Sequence, residues 1–283
     1  MKTILFTAFV AVTSSLMAQA PAPSTAAPAA KLGSRVWVWE ELVAKNNNVG
    51  QRREVVDLPT ATFEKFESHV TTLNPGVASH PPHRHSREEF ILLKEGTLDV
   101  FIAGQTRRAG PGSVFFFAAN DLHNMRNVGP TPATYLVFNF DTVATAAASI
   151  EGATAVAAPG KLVSTVFDWE KFVAKPTPTG ARREIVDSPT TTCKSFEGHI
   201  TTLKPGEAPH ASHHHPDEEL IVVKEGLMQA TINGVAQRGG PGSIFFFGSN
   251  DEHGLNNVGP TAATYYVFRI ITDATPKVAA ATK

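Results

Sequence analysis

The chain of 283 residues contains one cysteine, Cys193. No intrachain disulfide can form, so packing must hold the fold, with whatever a bound ion adds. Charge of either sign is not in surplus: 25 Lys and Arg face 26 Asp and Glu, a formal net charge of −1. No basic patch or charged tail stands out, which argues against a nucleic-acid partner. The apolar run at the N-terminus, Ile4 to Val12, is too short to span a bilayer.

That run has the form of an export signal. Lys2 supplies the positive start and Ala18-Gln19-Ala20 the small-x-small cleavage pattern. Pro21 makes cleavage after Ala18 an alternative, and an N-terminal membrane anchor is a second one. Residues 1–20 are read as a signal peptide and 21–31 as a disordered Pro/Ala tether. The expected location is secreted or periplasmic, with no membrane association once the signal is removed.

Turn formers are plentiful, with 21 Gly and 20 Pro. Short alternating runs separated by turn signals favour an all-β barrel or sandwich over an α/β fold. The length permits two domains of about 100–130 residues, each large enough for its own core.

A pattern occurs twice, 130 residues apart. The first copy reads Gly76, His83-Arg84-His85, Glu89, Gly96, His123 and Asn127. The second reads Gly206, His213-His214-His215, Glu219, Gly226, His253 and Asn257. Each copy offers three imidazoles and one carboxylate, which suits Mn, Fe, Ni, Cu or Zn. Side chains alternate across a strand. If one strand runs through them, His83, His85 and Glu89 share a face, and so do His213, His215 and Glu219. Arg84, His214, Glu88 and Glu218 fall on the other face. The fourth ligand, His123 or His253, comes from a different strand.

The spacing G-x6-H-x-H-x3-E-x6-G resembles the first cupin motif, and His123 to Asn127 resembles the close of the second. The resemblance covers nearly the whole mature chain, once per half, as in the bicupins. It implies two tandem double-stranded β-helix (cupin) barrels, jelly-roll-like, with one divalent metal in each, Mn or Fe being expected. The boundaries expected are 32–141 for the N-terminal barrel, 142–160 for an Ala/Thr-rich linker and 161–275 for the C-terminal barrel. One departure lies before the second-motif histidine. The usual P-x-G positions hold Ala118 and Asn120, then Gly248 and Asn250, so an unusual turn is expected there.

Other repeated residues carry weaker signals. His69 and His199 share a parity with Glu67 and Glu197, and are either pocket residues or hydrogen-bonded structural histidines. His80 and His210 lie in the loop entering the ligand strand, as solvated histidines or pocket guards. Asn127 and Asn257 suit a supporting or turn role better than ligation. Arg52, Arg53, Arg182 and Arg183 are expected to pair with nearby Glu54, Asp57, Glu184 and Asp187. Cys193 has Phe63 as its counterpart and is expected to be a buried apolar residue. Around the first site stand Arg84, Arg87 and Arg126, where the second has His214, Asp217 and Asn256. Arg126 is the expected source of positive charge in the first pocket.

With the export signal, the resemblance to bicupins implies a secreted oxygenase or decarboxylase of a small organic acid or phenolic compound. A non-catalytic small-ligand binding or storage protein is the alternative, and so is a metal-dependent isomerase or hydrolase. The expected partner is a small molecule, with a homo-oligomer possible in principle.

Overall fold

The computed structural model describes residues 30–102, 104–148 and 159–277. The expected signal peptide, most of the tether and residues 149–158 of the expected linker lie outside these. The described chain is almost entirely antiparallel β-structure, in two halves of the same topology.

In the first half the large sheet runs Thr165–Phe167, Val114–Phe117, Glu88–Glu95, Ala133–Asp141, Lys65–Leu73, Gly50–Leu58, Lys45–Asn46. A small sheet faces it, ordered Gln105–Ala109, Leu98–Ile102, His123–Asn127. The second half repeats the plan with Arg35–Trp37, Ile244–Phe247, Glu218–Glu225, Ala263–Ile271, Ser195–Leu203, Gly180–Ser188, Lys175–Thr177, and with Val235–Gly239, Met228–Ile232, His253–Asn257. Each half is a jelly-roll barrel, so the expected all-β pair of barrels is what forms.

The ligand strand Glu88–Glu95 is buried on both faces. Phe90 and Leu92 point to a core shared by the two halves, with Phe66, Phe138, Phe196, Phe246 and Phe268. Ile91 and Leu93 point into their own barrel, with Phe115, Phe117, Tyr135 and Val137. The run Phe115-Phe116-Phe117 is divided in the same way, Phe116 to the shared core and its neighbours inward. Cys193 is 5% exposed and belongs to the shared core, as does Phe63.

Each half lends its first strand to the other. Arg35–Trp37 pairs with Ile244–Phe247, and Thr165–Phe167 with Val114–Phe117. The large sheet of each expected span, 32–141 and 161–275, thus draws one strand from the other span. The strand Arg35–Trp37 is followed by a 3-10 turn at Trp39–Glu41. Within the expected linker, Val143–Ala148 is a short helix. Its entry residue Thr142 donates from Oγ1 to Thr192 O, 3.0 Å away in the other half.

The turn before the second-motif histidine keeps its shape without glycine. Asn120 and Asn250 take φ of 65° and 63°, a left-handed conformation that asparagine tolerates better than most residues. Gly96 and Gly226 are required by both conformation and space. Their φ values are 89° and 85°, and an added Cβ would come within 2.5 Å of Ala133 or Ala263.

Candidate metal centre

The backbone brings the histidines together before any side chain is considered. His83 N donates to His123 O at 3.1 Å, and His123 N donates to His83 O at 3.0 Å. His213 and His253 form the same bridge, at 2.9 Å both ways. This bridge closes the loop ahead of the ligand strand onto the strand of the small sheet. In each half one nitrogen from each of three imidazoles lies within 4.8 Å of the others: His83, His85, His123 and His213, His215, His253. The carboxylate follows by parity. Glu89 is 3.5 Å from His85 Nε2, and Glu219 is 3.2 Å from His215 Nε2.

Backbone carbonyls set the tautomers. His85 Nδ1 lies 2.8 Å from Arg87 O, and His123 Nδ1 lies 2.8 Å from Asp121 O. The counterparts are His215 to Asp217 O at 2.8 Å and His253 to Asp251 O at 2.9 Å. A carbonyl only accepts, so each Nδ1 carries a proton; Nε2 offers a lone pair in the neutral ring, and in His85 and His215 it faces the carboxylate instead. Nε2 of His123 and of His253 is buried without a hydrogen-bond partner. A buried polar atom left unpaired costs about 1–3 kcal/mol, and a divalent ion would remove that cost. The donor set fits such an ion.

Protonation agrees with ligand duty. Burial, then the neighbouring His80, His123 and His85, push His83 down to about 4. Burial also lowers His123, His213 and His253. Burial opposes ionisation of Glu89 and Glu219, but the hydrogen bonds and charges of His85 and His215 outweigh it and hold both carboxyls low. His85 and His215 are raised: burial pulls them down, and their carboxylate partners more than restore them. An ion entering either cluster displaces that shared proton.

Each cluster opens onto a cavity, of about 1050 Å³ in the first half and about 520 Å³ in the second. Ile91, Met125 and Val137 wall the first, and Ile221, Phe247, Leu255 and Val267 the second. Phe117 stacks on His123 with ring centroids 4.3 Å apart, and Phe247 stacks on His253 at the same distance.

The family model described as "Cupin domain" matches residues 69–139 and 199–269. The chain belongs to the cupin family. This bicupin is similar in fold to a variant of Bacillus subtilis oxalate decarboxylase, with a TM-score of 0.63, 14% identity, and coverage of 86% of this chain and 78% of that one. A second structure of that enzyme, solved in work on its Mn(II) centres, gives a TM-score of 0.62 at 16% identity, over 86% of this chain and 78% of that one. Protein Ylba from E. coli matches with a TM-score of 0.63 and 13% identity, over 90% of this chain and 97% of that one. At such identities the likeness is one of fold. No curated protein matches the chain significantly.

The remaining expected residues of this bicupin divide into three groups. His69 and His199 line the cavities and are also hydrogen-bonded, each with Nδ1 2.7 Å from its glutamate, Glu67 or Glu197. Burial opposes ionisation of Glu67, yet His69, Asn139 and Arg52 hold it down at about 2. Arg52 binds Glu54 and Glu67, and Arg182 binds Glu184 and Glu197. Arg53 and Arg183 lie instead over the rings of Trp39 and Trp169. His80 and His210 stand at the mouths, with ring centroids 3.9 Å from His83 and 4.3 Å from His213.

Asn127 and Asn257 are turn clamps away from the cavities. Asn127 Nδ2 donates to Leu73 O and Thr131 O, and its Oδ1 accepts from Gly129 N. Asn257 repeats the clamp with Leu203, Thr261 and Gly259.

Arg126 corrects the sequence reading. Its side chain is exposed and donates from Nε to Gly76 O at 3.0 Å, outside the cavity. It alternates with His123, Met125 and Asn127 on the strand and so faces outward. Arg87 lines the first cavity instead. Arg87 lies in the bend just before the strand that begins at Glu88. The sequence reading also missed Asn139 and Tyr135 in the first cavity and Arg269 and Tyr265 in the second. They lie on the strand that closes each half, where no motif marks them.

Proposed function

We propose that this bicupin is a secreted metalloenzyme, an oxygenase or decarboxylase acting on a small organic acid or phenolic compound. In this reading His83, His85, Glu89 and His123 hold one divalent ion, and His213, His215, Glu219 and His253 hold a second. Manganese is favoured over iron because a fold neighbour is described by its Mn(II) centres and because an imidazole and carboxylate set suits it. The observation that carries the proposal is the pair of convergent histidine clusters, each with a buried, unpartnered Nε2 and a carboxylate alongside. Packing alone does not call for that arrangement twice.

A bound ion of this kind supplies Lewis-acid polarisation of a substrate carboxyl group and, for a redox-active metal, an electron to exchange with O₂. The chain supplies the rest. Glu89 and Glu219, as ligands, are not available as general bases. His69 on the cavity wall and His80 at the mouth are the imidazoles left to carry a proton to or from a bound acid. The apolar walls keep bulk water from the reacting group.

The test is oxygen uptake and CO₂ release by the Mn-reconstituted chain with a panel of small acids and phenols. Turnover that disappears when His123→Ala and His253→Ala are combined supports the reading. Binding without turnover across the whole panel contradicts it. Export is tested separately: the chain recovered from periplasm or medium should begin at or near Gln19 or Pro21.

A further inference from the structure

The duplication allows each position to be compared with its counterpart 130 residues on. The two ligand sets are identical, but the charged residues beside them are not. Arg87 corresponds to Asp217, and Asn139 corresponds to Arg269. The cation has moved from the loop before the ligand strand to the strand that closes the barrel.

In the second half that cation is neutralised. Arg269 donates from Nε to Asp217 Oδ2 at 2.8 Å and from Nη2 to Asp217 Oδ1 at 3.0 Å. This is a forked pair, the strongest geometry a guanidinium has for a carboxylate. Asp217 is only 3% exposed, so the pair is shielded on its acidic side. Arg269 lines the second cavity with its fork already occupied.

In the first half the fork is open. Arg87 Nε forms a single long ion pair with Asp141 Oδ1 at 3.6 Å, too long for a hydrogen bond, so its donors are not engaged as those of Arg269 are. The Arg87 backbone is fixed beside the cluster, because its carbonyl accepts from His85 Nδ1. In the same cavity Asn139 donates from Nδ2 to Glu67 at 2.8 Å and leaves Oδ1 buried without a partner. The first cavity thus offers a guanidinium held by one long ion pair, with its hydrogen-bond donors unspent, and an unpartnered acceptor, beside the metal cluster. It is also about 1050 Å³ against about 520 Å³ for the second.

We propose that the first site alone takes an anionic substrate, a hydroxycarboxylate, with Arg87 binding the carboxylate and Asn139 Oδ1 accepting from a hydroxyl, while the Asp217–Arg269 pair closes the equivalent position in the second site. This rests on the metal reading above and narrows its substrate class. Arg87 is the residue that decides specificity.

The test is titration calorimetry of the full chain loaded with Mn²⁺, with gluconate as the probe and uncharged glucitol as its control. Metal content is measured on every sample. The expected result is one gluconate per chain, with glucitol bound at least about tenfold more weakly, in line with the strength of charge-assisted hydrogen bonds. Arg87→Gln should weaken gluconate about tenfold or more with both ions retained. Arg126→Asn should leave gluconate affinity unchanged. The paired variant Asp217→Arg with Arg269→Asn should raise the stoichiometry from one to two.

Two equal gluconate sites in the parent chain would overturn the inference. So would an unchanged affinity in Arg87→Gln, or a paired variant holding both ions that still binds one gluconate. A chain that holds two Mn but no gluconate sinks the inference and leaves the metal reading standing. A chain that holds no Mn sinks both.

Discussion

Glu88 and Glu89 are adjacent in the chain and serve opposite sides of one strand. Glu89 turns into the barrel toward His85, 3.5 Å away. Glu88 turns into the other half, where its carboxylate accepts from Thr190 Oγ1, Thr191 N, Thr192 N and Thr192 Oγ1. Glu218 repeats the arrangement with Thr60, Ala61 and Thr62. One strand therefore carries the metal centre on one face and the clamp between the halves on the other.

The two glutamates should separate cleanly on mutation. Glu88→Ala leaves several buried donors unpaired, at about 1–3 kcal/mol each before relaxation. A loss of about 3 kcal/mol in urea unfolding is expected, with metal content unchanged. Glu89→Ala should lower metal occupancy of the first site and cost much less stability in the metal-free chain. Equal effects of the two on metal content would contradict the division of labour.

The exchanged strands make a second prediction. Trp169 lies against Gly112, which has φ of 92°, and an added Cβ would sit 2.8 Å from the indole. Gly112→Ala imposes both backbone strain and a clash, and should cost about 2 kcal/mol or more. Gly110→Ala, where nothing lies within 4 Å, should be much milder. Similar midpoints for the two variants in denaturant would contradict this account of the strand exchange.

Acid should destabilise the metal-free chain in two stages. His83 has a folded pKa of about 4, below its ordinary 6.5, so the unfolded chain binds more protons there and stability falls as pH drops from about 6.5 to 4. Glu67 is held at about 2 against an ordinary 4.5, so its contribution is present above 4.5 and is lost as pH falls toward 2. Melting temperatures between about pH 7 and pH 3 check the sign. Bound metal should shift the first loss, because protons and the ion compete for the same imidazoles. A His83→Ala chain that loses as much stability as the parent between about pH 6.5 and pH 4 would contradict the burial of neutral His83.

Much of this site was legible in the sequence because it depends on local rules. The 130-residue repeat picks out the ligand sets, and strand parity separates Glu89 from Glu88; His83 and His85 lie in the loop ahead of the strand, which begins at Glu88, so one strand does not run through all three ligands. Parity on the strand His123–Asn127 would have placed Arg126 outward. Proximity to His123 along the chain outweighed it, wrongly. Asn120 shows that the turn needed a left-handed residue rather than glycine itself. What was not legible is non-local. The strand exchange joins Val36 to Phe245, and Glu88 meets threonines far along the chain in the other half. No periodicity encodes either. The forked pair of Asp217 and Arg269 appears only once the two strands are side by side.

The central claim is that each half holds one divalent ion on three histidines and a glutamate. Elemental mass spectrometry of the untagged full chain, reconstituted with Mn²⁺ and freed of excess ion, tests it most directly. About two Mn per chain are expected, falling to about one in His123→Ala and about one in His253→Ala. A reconstituted chain that holds no metal, or histidine variants that hold as much as the parent, would contradict it.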